Sequence, residues 1–178
     1  MNFFSGKTKI LIILIFGVSC VFKNEAVSQT IKKNTSENSP ILKVADANEE
    51  ALGVLNFVNA ERAKLGLTQL LWDDEVAKIA AEYSAKMARE NFFSHFDSKG
   101  ESVLQRAKSA RLKHYSKIGE NLFSVDPIDD FDSFAVKNWM ESPAHRENIL
   151  DGEWTTTGIG IARAKDGEIF ITEVFIKR

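Results

Sequence analysis

The C-terminal stretch "TTTGIGIARAKDGEIFITEVFIKR" constrains the fold of this chain most strongly, because its pattern is that of a β-hairpin. Both halves are rich in β-branched and aromatic residues, and the "KDG" between them, Lys165 to Gly167, is a strong turn signal. The segment "IFITEVFI" is apolar on almost both faces. It therefore predicts a central strand that is covered on both sides.

Helical patterns precede the hairpin. The first predicted helix begins near residue 46 and ends at Gly66, and the second begins after Asp73, which can cap it. Shorter helices are predicted in "ESVLQRAKSA" and "DDFDSFAVKNWM". Helices followed by an antiparallel hairpin predict an α+β domain with helices packed against a sheet. The apolar faces are Leu52, Leu55 and Val58 in the first helix, Val76, Ile79, Ala80, Tyr83 and Met87 in the second, and Phe131, Phe134, Ala135 and Trp139 in the last.

Residues 1–22 predict an export signal. Lys7 and Lys9 precede "ILIILIFGVSCVF", an apolar run too short to span a bilayer comfortably as a mature helix. Two forms of processing compete: Cys20, the only cysteine, ends a "GVSC" that resembles a lipoprotein box, whereas "AVS" favours cleavage after Ser28. An uncleaved membrane anchor is the third alternative. With either form of processing the protein leaves the cytoplasm, and a single cysteine excludes an internal disulfide.

Composition separates a tether from the domain. Residues 23–45 are polar with little periodicity, which predicts a disordered tether, and residues 46–178 form the domain. The net charge is −2 and no long basic patch occurs, so a nucleic-acid partner is not expected. Membrane attachment is expected only through the N-terminus.

Three stretches place titratable groups among apolar neighbours: "NFFSHFDSKG" with His95, "KIGENLFS" with Glu120 and "SPAHRENIL" with His145. His95 follows a helix and precedes Gly100, which predicts a loop. Two histidines on different segments do not form the local motif of a zinc protease. From their spacing alone, exposed or packing histidines are a better interpretation than a site.

A predicted helix break in "WMESPAHRENIL" determines the position of one of these histidines. Ser142 can act as the N-cap of a new short helix and Pro143 as its first residue. His145 then lies in the first turn, where the helix dipole disfavours the imidazolium. A neutral imidazole is the form that binds a metal or accepts a hydrogen bond.

Five motifs in order carry a resemblance to a known family. They are "LNFVNAERAKLGLTQLLWDDEVAKIAAEYSAKMA", "NFFSHFDSKGES", "IGENLF", "WMESPAHRENIL" and "TTTGIGIA…IFITEVF". With them, roughly residues 48–177 resemble a bacterial member of the CAP superfamily, the SCP-like extracellular domain. The resemblance implies a three-layer α-β-α sandwich with an antiparallel sheet and a cleft.

The resemblance also implies a site in that cleft. Many relatives hold a divalent metal there with two histidines and two acids, and His95, Glu120 and His145 match three of these four. In animal relatives the second acid stands where this chain has Ser142, and Glu141 comes one residue earlier, a rotation of about 100° on a helix. We therefore expect Glu120, Glu141, Ser142 and the neighbouring Asn121 to contact a ligand, with Asn121 bonding loop backbone to position Glu120.

Two functions of different classes follow. The first is a non-enzymatic binding module whose His/Glu-lined cleft holds a small molecule, a lipid or a cell-envelope component, with no required cofactor. The second is a metal-dependent hydrolase, a protease or nuclease, in which His95 and His145 hold Zn²⁺ and Glu120 or Glu141 acts as general base. Trp72, Trp139 and Trp154 are expected to pack in the core or the cleft wall, and His114 to be exposed.

Overall fold

The computed structural model of the protein describes residues 40–178, and its side chains from Glu49 onward. The predicted signal, most of the predicted tether, Cys20 and Ser28 lie outside the described residues. The first helix begins at Pro40, ahead of the predicted domain boundary at residue 46. Within the described part of the chain, no helix is both long and apolar enough to cross a bilayer.

Five helices and four strands make up the described part. They are α1 (Pro40–Ala63), β1 (Leu71–Trp72), α2 (Asp74–Glu90), α3 (Val103–Ser109), β2 (Lys117–Val125), α4 (Phe131–Glu141), α5 (Pro143–Leu150), β3 (Thr156–Arg163) and β4 (Ile169–Lys177).

The strands form one sheet in the order β1-β3-β4-β2. β3 and β4 are the predicted hairpin with its turn at Lys165 to Gly167, and β4 is central and buried along almost its whole length. β2 pairs antiparallel with β4 along nine residues and forms an edge of the sheet. The two-residue β1 is the exception to the antiparallel sheet that we predicted, because it pairs parallel with β3.

Helices cover both faces of this sheet, which confirms the α-β-α sandwich. α1 and α4 pack on one face with Ile159, Ile171 and Phe175 of the hairpin. α2 packs on the other face with Val174 and Ile176. Two residues predicted to face the core are more exposed than expected: Leu52 on α1 is 43% exposed, because Ala51 and Leu55 form the buried face, and Phe134 on α4 is 41% exposed.

Two polar side chains, Arg62 and Glu173, are buried on the α1 side of the sheet. Arg62 donates from Nη1 to the carbonyl oxygens of Ile149 and Asp151, at 2.8 and 2.9 Å, and so joins the end of α1 to the end of α5. Glu173 of β4 accepts a hydrogen bond from the Thr157 hydroxyl at 3.2 Å. Burial raises the pKa of Glu173 to about 8, so its carboxyl is protonated at neutral pH.

Two glycines let α2 lie directly on β3. A Cβ added at Gly158 would overlap the backbone of Val76 and Ala77, and one at Gly160 would overlap the backbone of Ala81. Backbone cannot rotate away as a side chain can, so a larger residue would push the helix off the sheet. Two glycines at alternate positions of a strand mark such a close approach.

We expect Gly160→Ala to destabilise the protein by about 3 kcal/mol or to prevent folding, because the added methyl overlaps α2 backbone. Urea denaturation measures the effect. Gly152→Ala is the matched control, since its Cβ would lie 3.5 Å from Leu67 Cδ2 in ordinary contact. A Gly160→Ala protein that unfolds at the wild-type urea concentration would contradict the packing described here.

Candidate functional site

The Glu120 carboxylate is the centre of the site. Glu120 lies on β2 and its side chain is only 3% exposed. Its Oε1 lies 2.9 Å from Nδ1 of His95, and its Oε2 accepts a hydrogen bond from Nη2 of Arg106. Both oxygens of this buried carboxylate are therefore engaged by side chains from other segments.

The sheet register aims Glu120 at α3. Glu120 pairs with Val174 of β4, whose side chain packs in the cluster with α2 and α3 residues, so the two side chains share that face. Arg106 reaches the carboxylate from α3, and it also donates to the Glu101 carbonyl oxygen at 2.8 Å. Its guanidinium carbon lies 3.3 Å from the centroid of the Tyr83 ring. Stacking and ion pairing together fix the guanidinium.

His95 lies on the loop between α2 and α3, as predicted. The Tyr83 hydroxyl donates to the Ser94 carbonyl oxygen at 2.6 Å and holds this loop. Burial raises the pKa of Tyr83 to about 12, so the hydroxyl stays a donor across the physiological range. His95 is 49% exposed in its side chain, and because Nδ1 faces the carboxylate, the other nitrogen, Nε2, is the one available to a ligand.

His145 approaches the same place from α5. It lies in the first turn of α5, as predicted, and its ring centroid is 6.4 Å from that of His95. Asn121 Nδ2 donates to the His145 carbonyl oxygen at 3.1 Å. Asn148 Nδ2 in turn donates to Asn121 Oδ1 at 2.9 Å and to the Glu120 carbonyl oxygen at 3.2 Å. These bonds fix α5 to β2.

The imidazole of His145 is held in its neutral form. Desolvation by burial lowers its pKa below the usual value, and the positive charge that His95 can carry lowers it further. The helix start at Pro143 acts in the same direction. A neutral ring at this position can coordinate a metal or exchange hydrogen bonds with a polar ligand.

The other residues singled out in the sequence differ in how they relate to this site. Ser142 occupies the N-cap of α5 but makes no capping bond with its side chain. Glu141 is exposed and does not line the groove that Ser142 and His145 share, so the structure does not bring it into the site. Asn121 is fully buried on β2 rather than on a loop, and it positions His145 rather than Glu120. His114 is exposed, as predicted.

Sequence reasoning missed Arg106, Asn148 and Tyr83 as site residues. Tyr83 lies on the predicted apolar face of α2. Its hydroxyl bonds to the loop that carries His95, and its ring stacks against the Arg106 guanidinium. Arg106 stands in a short helix, seven residues long, whose apolar pattern is weak. Pairing of its charge with Glu120 depends on β2, which the sequence did not predict.

A groove of about 300 Å³ opens beside His145, and we call it the His145 groove. One side is formed by β2 and the other by α4 and the start of α5. Its lining residues are Phe93, Leu122, Phe123, Ser124, Asn138, Trp139, Ser142 and His145. The groove is at the small end of the range of about 300–1,000 Å³ for small-molecule sites.

Metal-ligating groups are sparse in the described residues. Nowhere in that part of the chain do three or more His, Cys, Asp or Glu side chains form a cluster suited to a metal ion. The two imidazoles lie close together, but the Glu120 carboxylate is only 3% exposed and bonds to His95 and Arg106 rather than opening to solvent. The donor set available to a cation is therefore two ring nitrogens, with the remaining positions open to water or ligand.

An α-β-α sandwich in which a buried glutamate and two histidines lie close together defines the class of protein. The sequence profile of the cysteine-rich secretory protein (CAP) family matches residues 55–175. The chain belongs to this family.

Curated relatives from Bacillus subtilis (strain 168) also match the chain. The chain is 32% identical to "Uncharacterized membrane protein YlbC" in a match that covers 70% of this chain. It is also 32% identical to "Uncharacterized protein YkwD" in a match that covers 86% of this chain. It spans only 34% and 55% of the lengths of these two proteins.

Solved structures show the same fold. An extracellular protein containing an SCP domain from Bacillus anthracis str. Ames has a TM-score of 0.66 at 25% identity, covering 81% of this chain and 45% of that one. An outer surface protein from Borrelia burgdorferi has a TM-score of 0.66 at 25% identity, covering 75% of this chain and 96% of that one. These similar proteins are extracellular or outer-surface proteins by name.

We expect Arg106→Met to destabilise the fold by about 3 kcal/mol, because it leaves the buried Glu120 charge without its cationic partner. The stability of Arg106→Lys should lie between those of the wild type and Arg106→Met, because lysine keeps the positive charge but lacks the forked guanidinium group. Arg89→Met is the control: Arg89 is 66% exposed, and its loss should cost about 0.5 kcal/mol or less. Equal urea midpoints for Arg106→Met and Arg89→Met would contradict the role of this pair.

Proposed function

We propose that this chain is an extracytoplasmic, non-enzymatic binding module whose ligand site is the His95–His145 pair with the adjoining groove. The observation that carries the proposal is the occupation of Glu120 on both oxygens. A carboxylate that is bound in this way and only 3% exposed is placed to orient an imidazole and is shielded from a substrate. The site is therefore built to present ring nitrogens in a fixed direction.

The same arrangement supports divalent-metal binding by the two histidines. A carboxylate that accepts from one ring nitrogen of a histidine, while the other nitrogen faces a metal, is a common outer-shell device in zinc sites. His95 Nε2 and a ring nitrogen of His145 would hold the ion, with Ser142 at the rim as a polar neighbour. Two protein ligands favour weak, reversible binding of an ion such as Zn²⁺, so the metal is a ligand rather than a required cofactor.

The hydrolase alternative has less support. A general base must reach a water molecule in the site, and the Glu120 carboxylate is only 3% exposed and is hydrogen-bonded to His95 and Arg106. Glu141 is exposed and lies outside the groove lining, so it does not replace Glu120 in that role. Zinc hydrolases also use three protein ligands, and this cleft offers two histidines.

Export is supported by the N-terminal sequence and by the relatives. The proteins that the chain resembles in structure are named as extracellular or outer-surface proteins. The basic flank and short apolar run of residues 1–22 fit a secretory signal, followed by lipidation at Cys20 or cleavage after Ser28. At that location, the expected partners are small molecules, lipids or components of the cell envelope.

Calorimetric titration with Zn²⁺ tests the histidine pair. We expect binding at pH 7.5 that weakens at pH 5.5, because protons compete for the ring nitrogens. The lowered pKa of His145 keeps that ring available to a lower pH than an unperturbed histidine. His95→Ala/His145→Ala should abolish the heat of binding, and His114→Ala should not.

The outcomes separate the two functions. Equal Zn²⁺ binding by the double variant and the wild type would remove the metal site. Chelator-sensitive cleavage of peptides or nucleic acids that is lost in His95→Ala/His145→Ala would favour the hydrolase over the binding module. Zinc binding without such cleavage is the result that we expect.

A further inference from the structure

The His145 groove is lined by both aromatic rings and hydrogen-bonding groups. Phe93 is 52% exposed and stands on the loop that carries His95. Phe123 is half-buried, and its ring meets Phe134 edge-on at 5.9 Å and Trp139 edge-on at 6.5 Å, which fixes its orientation. These rings give the groove flat apolar surfaces in defined positions.

Hydrogen-bonding groups line the same groove, most of them on α4 and the start of α5. The Ser142 hydroxyl is not used to cap α5, and within the described residues it stays available at the groove. The Asn138 amide nitrogen donates to the Phe134 carbonyl oxygen at 2.8 Å, which leaves the amide oxygen as an acceptor. Ser124 and His145 add a hydroxyl and an imidazole ring. Among the described residues, His145 is the one ionisable side chain in the lining.

A peptide strand does not fit this edge of the sheet. β2 is an edge strand, but the Glu120 carbonyl oxygen accepts from Asn148 and the Leu122 carbonyl oxygen accepts from Trp139 Nε1 at 2.9 Å. The carbonyls that an added strand would need are thus already covered by α4 and α5. An acyl chain is disfavoured as well, because the hydroxyl, amide and imidazole groups of the lining would be desolvated without partners.

We propose that the His145 groove binds a sugar ring of a neutral glycan. A pyranose ring has apolar C–H faces and polar hydroxyl edges, so the faces can stack on Phe93 and Phe123 while the hydroxyls bond with Ser142, Asn138 and His145. In the described part of the chain, the lining contains no Lys, Arg, Asp or Glu side chain, so it offers an anionic sugar no fixed countercharge and favours neutral sugars. This inference rests on the proposed binding function and names the ligand class of its groove.

Saturation-transfer NMR with chitotriose and with cellotriose, both neutral trisaccharides, tests the proposal. The titrations are run on the full chain in EDTA, so that metal binding plays no part. We expect transfer to the ring C–H protons of at least one trisaccharide, with a dissociation constant about fivefold weaker in Phe93→Ala and also weaker in Ser142→Ala. Phe96→Ala is the matched control, because Phe96 is 59% exposed on the same loop but does not line the groove.

Three results would overturn the proposal: no transfer to either trisaccharide, equal affinity of Phe93→Ala and wild type, or an equal loss in Phe96→Ala. Transfer to dodecanoate but to neither trisaccharide would identify an acyl-chain groove instead. Failure here with intact Zn²⁺ binding removes only the sugar ligand. Loss of Zn²⁺ binding with intact sugar binding removes only the metal.

Discussion

The buried charge of Glu120 is the constraint on which the rest of the site depends. A carboxylate that is 3% exposed needs partners for both oxygens, and Arg106 and His95 supply them from segments outside its own strand. Arg106 fixes α3, and His95 fixes the loop before it. Glu120 thereby positions α3 and the loop that carries His95, and it determines which nitrogen of His95 faces outward.

β2 also positions α4, α5 and the backbone of His145. As an edge strand it presents alternate carbonyls away from β4, and Asn148 and Trp139 satisfy two of them, so that α4 and α5 are held against the edge. Asn121 extends this connection to the backbone of His145. On the opposite face, Gly158 and Gly160 admit α2, whose end leads into the loop that carries His95. The groove lies where the edge strand and the α4–α5 break meet.

Much of the fold could be predicted from local pattern. The β3–β4 hairpin, α2 with its Asp73 cap, and the break at Ser142 and Pro143 each carry a signal within a few residues. β2 carries none, because "KIGENLFSV" mixes a glycine and several polar residues among its apolar ones, and its strand conformation comes from pairing with β4. The three candidate site residues are visible in the sequence as titratable groups among apolar neighbours, but only the family resemblance joins them into one site. Arg106 emerges only when tertiary structure brings α3 to β2.

The orientation of His95 tests the central claim most directly. Two-bond ¹⁵N–¹H correlation NMR at pH 8 distinguishes the two neutral tautomers of each histidine ring. We predict that His95 carries its proton on Nδ1, donated to Glu120, and leaves Nε2 bare. A proton on Nε2, or a ring that averages between the tautomers as exposed His114 should, would contradict the role of Glu120 as the group that fixes His95.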